Sequence, residues 1–150
     1  MTQGLIQHAT AVAIDGEAVL LRGPSGAGKS DLALRLIDRG ARLIADDQTL
    51  LRRVGDRVIA AAPPTIAGLI EIRGIGIATV EAIDAAPLFL IADLIPWGEV
   101  ERMPERTFET ILGVSVPLIA LAALEASAAA KLRLLRRALA AGSPPAIIAL

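Results

Sequence analysis

Eight consecutive residues carry the clearest chemistry in this chain: Gly23-Pro24-Ser25-Gly26-Ala27-Gly28-Lys29-Ser30. Their spacing, G-x-x-x-x-G-K-S, is the pattern of a P-loop. The glycines permit backbone conformations in which successive N–H groups converge on phosphate oxygens. Lys29 brings a full positive charge to the terminal phosphates of a nucleoside triphosphate. Ser30 supplies a hydroxyl suited to magnesium. The second constellation is Asp46-Asp47. Adjacent residues at a strand end point to opposite sides, so one carboxylate can face a magnesium shell and the other an incoming hydroxyl. Together these residues point to phosphoryl transfer from ATP with Mg2+.

Such groups need a scaffold that delivers them to one edge. Residues 9–14 and 18–22 read as two strands joined by a tight Asp15-Gly16 turn, the second running straight into the glycine loop. Residues 29–39 place Leu32, Leu36 and Ile37 at helical spacing, with Gly40 as a stop signal. Residues 43–45 form a short buried strand ending at the two aspartates. Strand, loop, helix, strand is the crossover unit of an α/β fold. It predicts a central, mostly parallel sheet, with the returning strand beside the loop strand. Residues 50–53 and 57–61 read as a β-hairpin around Val54-Gly55-Asp56, residues 69–72 and 88–94 as further strands, and Arg73 to Gly76 as a turn. Residues 117–141 read as one long C-terminal helix, ended by Gly142 and Pro144-Pro145, with Lys131, Arg133, Arg136 and Arg137 as solvated cations near its end. The expectation is a single domain over residues 1–150.

Bulk composition narrows the partners. A net charge of −1 argues against a dedicated nucleic-acid binder, and Phe89, Trp97 and Phe108 are the whole aromatic set, too few for base-stacking platforms. The chain has no cysteine, which removes disulfides and thiolate metal sites. Its start lacks the basic and apolar regions of a signal peptide, and the longest uncharged stretch, 111–124, is broken by Pro117 and falls short of a membrane span. The expected location is cytoplasmic, with no membrane and no nucleic acid among the partners. A hydrophobic share of 54% suggests buried strands and surface lost to a subunit interface, hence a homo-oligomer.

Beyond the loop, the motifs resemble the catalytic domain of HPr kinase/phosphorylase, the bacterial enzyme that phosphorylates a serine of the phosphocarrier protein HPr. His8 stands at the family's spacing before the loop. Arg39-Gly40-Ala41-Arg42-Leu43-Ile44-Ala45-Asp46-Asp47 matches its R-G-x-x-L-[IV]-A-D-D segment. Glu71-Ile72-Arg73-Gly74-Ile75-Gly76-Ile77 matches its E-I-R-G-x-G-I signature, and Glu101-Arg102 an acidic–Arg pair. The resemblance runs in register from His8 to Arg102. It implies that Asp47 is the proton acceptor for the seryl hydroxyl and the donor in the reverse reaction. It further implies that Ser30 and Glu71 hold magnesium, joined by Asp46 as the carboxylate read above as facing the metal shell, that Lys29 holds the phosphates, and that His8 and Arg102 support catalysis. It also implies a hexamer.

Several positions depart from the family pattern. Pro24 stands where aspartate is usual, Ala9 where glycine follows the histidine, and Asp31 where glutamate follows the loop. The separate N-terminal domain of many members has no counterpart in these residues. The family's arginine-rich P-x-R-P-G-R loop, tied to dephosphorylation, is replaced by Val116-Pro117-Leu118-Ile119-Ala120. The expected protein is thus a short-form ATP- and Mg2+-dependent serine kinase acting on HPr or a paralogue, with weak reverse phosphorylase activity. The alternatives are a small-molecule P-loop kinase, for which no arginine-bearing lid is seen, and a non-catalytic ATP-sensing regulator, which would not need two adjacent aspartates.

Overall fold

The computed structural model describes residues 4–140. Two consecutive strands form its centre, β2 (Ala9–Ile14) and β3 (Glu17–Arg22). Their side chains alternate between two cores, as the period-two geometry of a strand requires. Val12, Ile14, Val19 and Leu21 enter one core. Leu32 and Leu36 of helix α1 (Lys29–Asp38) and Leu132 of helix α2 (Ala128–Ala140) close it. Ala9, Ala11, Ala13, Ala18 and Leu20 enter the other. That core is completed by the hairpin of β5 (Thr49–Val54) and β6 (Arg57–Ala61).

The remaining strands are β1 (Gly4–Gln7), β4 (Arg42–Ala45), β7 (Leu69–Ile72), β8 (Gly76–Thr79), β9 (Ala85–Leu94), β10 (Thr107–Ile111) and β11 (Val114–Leu121). The main sheet runs β1-β5-β6-β9-β3-β2-β4, with the β10–β11 hairpin joined to β9 through β11. β7 and β8 make a separate hairpin, anchored by Ile70 in the core beside α1. No described helix is long and apolar enough to cross a membrane.

The α/β class, the loop strand and its following helix, and the 50s hairpin stand as expected. Two expectations are corrected. The sheet is mixed and mainly antiparallel: among the strand pairs of the described residues only β3–β9 and β9–β11 are parallel. The cause is the Asp15-Gly16 turn, with φ of 48° and 82°. This two-residue turn folds β2 back along β3, and it occupies the side where a returning strand would dock. β4 therefore pairs with β2, one strand removed from β3.

The second correction concerns residues 117–141, which are not one helix. Residues 114–121 form β11, and the helix spans Ala128–Ala140. Leu112 and Gly113 adopt φ of 51° and 82° and close the β10–β11 hairpin. Val116, Val114 and Leu118 then face one core while Leu121 and Ile119 face the other. This period of two overrides the helix propensity of an alanine-rich stretch. Gly142, Pro144 and Pro145 lie outside the described residues.

Candidate active site

The glycine loop, residues 23–28, joins the C-terminal end of β3 to the first turn of α1. Its Pro24 carbonyl accepts the Ala27 N–H at 3.0 Å, which turns the chain back towards the helix. Gly26 and Gly28 sit at φ of 85° and 96°, where a Cβ is strained. A Cβ on Gly28 would also lie 3.1 Å from Ala123 Cβ, and one on Gly23 only 2.9 Å from Ala27 Cβ. The loop is a cradle that side chains would fill. Gly28 is the N-cap of α1 and offers no side-chain acceptor, so the positive end of the helix is left for an anion. Lys29 is buried, and its Nζ donates to the carbonyls of Gly23 at 2.6 Å and Pro24 at 3.2 Å. Pro24, Ser25 and Gly26 are exposed. Beside them opens a largely apolar cavity of about 710 Å³, lined among others by Ala27, Leu94, Ile95, Trp97, Ala123 and Leu124.

The aspartates lie just past β4 and have different environments. Asp46 is buried and accepts three hydrogen bonds. Ser30 Oγ donates to its Oδ1 at 2.7 Å, Thr10 Oγ1 to the same oxygen at 3.1 Å, and the Glu71 N–H to Oδ2 at 3.0 Å. Asp47 turns outward in a left-handed conformation, φ 68°, which aspartate tolerates better than most residues. Its N–H donates to Thr10 Oγ1 at 3.1 Å, so one buried hydroxyl ties both aspartates to β2. Its Oδ1 lies 2.6 Å from His8 Nε2. The side chains of His8 and Asp47 are 59% and 66% exposed, open enough to meet a macromolecule. The different environments of the two carboxylates therefore come from a turn past the end of β4 and not from strand alternation.

The structure thus brings His8, Ser30, Asp46, Asp47 and the Glu71 backbone together at one edge, beside Lys29 and the glycine loop. It does not bring in everything. Glu71 reaches Asp46 through its main chain, and its exposed side chain makes no hydrogen bond among the described residues. Arg102 is exposed between β9 and β10 and likewise makes no hydrogen bond or ion pair among the described residues. For magnesium, the adjacent Ser30 hydroxyl and Asp46 carboxylate are a fitting pair of hard oxygen donors, because that ion usually keeps waters and phosphate oxygens as its other ligands. Among the described residues no three His, Asp or Glu side chains gather as an all-protein cage.

Sequence reading missed two groups. Thr10 was legible only as the one polar side chain of a wholly buried strand. Arg22, the last residue of β3, makes forked hydrogen bonds to Asp93, at 2.7 and 3.0 Å, and to Glu109, at 2.6 and 2.8 Å. The two carboxylates, hydrogen bonds to Glu109 foremost, raise the Arg22 pKa against a modest cost of burial. The Arg22 hydrogen bonds in turn hold the Glu109 carboxyl below its ordinary range.

The domain is α/β, and its glycine cradle between a buried strand and a helix N-terminus, with a carboxylate on the Ser30 hydroxyl, is suited to an anion. Comparison with known proteins narrows the class. The chain belongs to the family described as HPr Serine kinase C-terminal domain, whose model matches residues 1–132. It is 40% identical over 126 residues to the HPr kinase/phosphorylase of Prosthecochloris aestuarii, a match covering 76% of this chain and 37% of that protein. It is 38% identical over 127 residues to that of Caldicellulosiruptor bescii, covering 77% and 41%. The chain thus spans about two fifths of the length of these relatives. Among solved structures, the Hpr(Ser) kinase/phosphatase from Coxiella burnetii superposes with a TM-score of 0.76 at 30% identity, over 92% of this chain and 95% of that one.

Proposed function

We propose that this domain transfers the γ-phosphoryl group of ATP, with Mg2+, to a seryl hydroxyl of an HPr-type phosphocarrier protein. The observation that carries the reading is the split between the two aspartates, one buried on Ser30 and one exposed with an oxygen to spare. Asp47 Oδ1 is engaged by His8, which leaves Oδ2 to take the seryl proton. The seryl oxygen attacks the γ-phosphorus, the bond to the β–γ bridging oxygen breaks, and ADP leaves. A base so placed is worth on the order of 10²–10⁴ in rate.

The loop N–H groups and the α1 N-terminus hold the phosphates, and Lys29 exchanges its carbonyl partners for phosphate oxygens. Arg102 offsets charge on the transferring group. Ser30, Asp46 and Glu71 would hold magnesium, which would supply positive charge to offset that of the phosphates. The apolar cavity beside Trp97 receives the nucleoside. The same reading has the protein working as a cytoplasmic homo-oligomer. It also makes the reverse reaction weak, since residues 116–120 offer a second phosphate no cation.

Incubation with γ-labelled ATP, MgCl2 and a purified HPr tests the proposal. It predicts label on a serine of HPr, lost in Lys29→Ala. ATP binding without transfer to HPr would refute it.

A further inference from the structure

Arg22 occupies an unusual junction. It is the last residue of β3 and is bonded directly to Gly23, the first residue of the cradle. Across the parallel β3–β9 ladder its register partner is Asp93, and the next residue, Leu94, packs where a Gly23 Cβ would point, at 3.3 Å. The chain then leaves β9 through residues 95–106, which carry Trp97 and Arg102, and returns in β10, where Glu109 closes on the same guanidinium. Asp93 and Glu109 are therefore the two stems of one loop, and Arg22 grips both with forked pairs.

We propose that Arg22 is a positioning residue, and that its clamp on Asp93 and Glu109 fixes the loop bearing Arg102 relative to the phosphate cradle. This rests on the reading of Arg102 given above. Several observations favour a dedicated device over an incidental ion pair. All four hydrogen bonds lie at 3.0 Å or less, and both carboxylates are engaged through two oxygens. Only arginine offers the planar fork for two such pairings, and the Arg22 side chain is 19% exposed while its partners Asp93 and Glu109 are part-exposed. Arg102 itself makes no hydrogen bond or ion pair among the described residues, so its location is inherited from the stems of its loop. Closing the stems also removes much of the conformational freedom that an exposed loop would otherwise keep.

The chain's one tryptophan, Trp97, lies within the clamped loop and reports on it directly. The experiment measures time-resolved fluorescence anisotropy of Trp97 and steady-state kinase kinetics in wild type, Glu109→Gln, Arg22→Lys, Arg102→Ala and the Glu109→Gln/Arg102→Ala pair. The proposal predicts larger local motion of Trp97 in folded Glu109→Gln and Arg22→Lys. It predicts a kcat loss of about tenfold to a hundredfold for Glu109→Gln, the scale of a misplaced group, with a smaller rise in the nucleotide KM because Trp97 also lines the nucleoside cavity. On the Arg102→Ala background Glu109→Gln should cost no further kcat. Arg22→Lys keeps the charge without the forks, so wild-type anisotropy and kcat in that variant would overturn the proposal. An equal, additive loss from Glu109→Gln on the Arg102→Ala background would overturn it too. If Arg102→Ala is crippled while Glu109→Gln is not, the clamp alone fails. If Arg102→Ala turns over normally, the role given to Arg102 fails first.

Discussion

Thr10→Val removes one oxygen from the middle of the site and leaves the shape of the side chain almost unchanged. In the wild type that hydroxyl donates to the buried Asp46 carboxylate and accepts the Asp47 N–H. A hydrogen bond to a charged group contributes about 1.5–3 kcal/mol, and a stranded N–H costs about 1–3 kcal/mol when buried. Asp46 keeps its donors from Ser30 and Glu71, and Asp47 is open enough for water to reach its N–H, so the second cost sits at the low end. The expected destabilisation is roughly 2–4 kcal/mol, a large part of the ~5–15 kcal/mol that holds a domain together. Urea unfolding followed by circular dichroism reads it. Because the left-handed turn at Asp47 loses an anchor, kcat should also fall about tenfold or more while the nucleotide KM stays close to normal. Thr10→Ser keeps the hydroxyl and should keep most of the activity. A Thr10→Val protein with wild-type stability and kcat would refute the view that this hydroxyl holds the two aspartates in place.

Other consequences are as specific. Gly28→Ala should destabilise the protein by about 1–3 kcal/mol and weaken nucleotide binding, since it forces a Cβ to φ 96° against Ala123; thermal melting and ATP titration check this. Glu71→Gln should raise the magnesium concentration needed for half-maximal activity more than it raises the KM for HPr; an unchanged magnesium midpoint would remove the Glu71 side chain from the metal shell. Glu109 has a lowered pKa in the folded state, so its contribution is complete above the ordinary glutamate range, roughly pH 4.3, and is lost as pH falls through the folded value. The stability gap between wild type and Glu109→Gln should therefore be constant near neutrality and narrow in acid, as urea midpoints across pH will show.

The local part of this architecture was legible and the non-local part was not. The glycine loop is legible because its requirement is local: a turn at Gly26 and Gly28 that tolerates no ordinary side chain, followed at once by helix. The adjacent aspartates were legible as a pair. Which one is buried was not, because that depends on Thr10, which is 36 residues from Asp46 in sequence. The same limit hid Arg22, whose partners lie 71 and 87 residues away. The order of strands was misread because a helical crossover after β3 implies a parallel neighbour, while the tight Asp15-Gly16 turn had already filled that side with β2. The C-terminal segment is hard to read because alanine and leucine obscure the period of two that Val114, Val116 and Leu118 set, and because Pro117, a residue that suits a helix start, lies inside a strand paired with Phe108.

The measurement closest to the central claim is single-turnover phosphoryl transfer to HPr by Asp47→Asn and Asp46→Asn, with ATP affinity determined in parallel. The proposed function makes the exposed Asp47 the base, so its amide variant should bind ATP and magnesium like wild type while transferring on the order of 10²–10⁴ times more slowly. Asp46 is the buried organiser of Ser30, Thr10 and Glu71, so its variant should lose stability and magnesium affinity. Transfer by Asp47→Asn at the wild-type rate, with the catalytic loss falling on Asp46→Asn instead, would contradict the roles given to the two carboxylates.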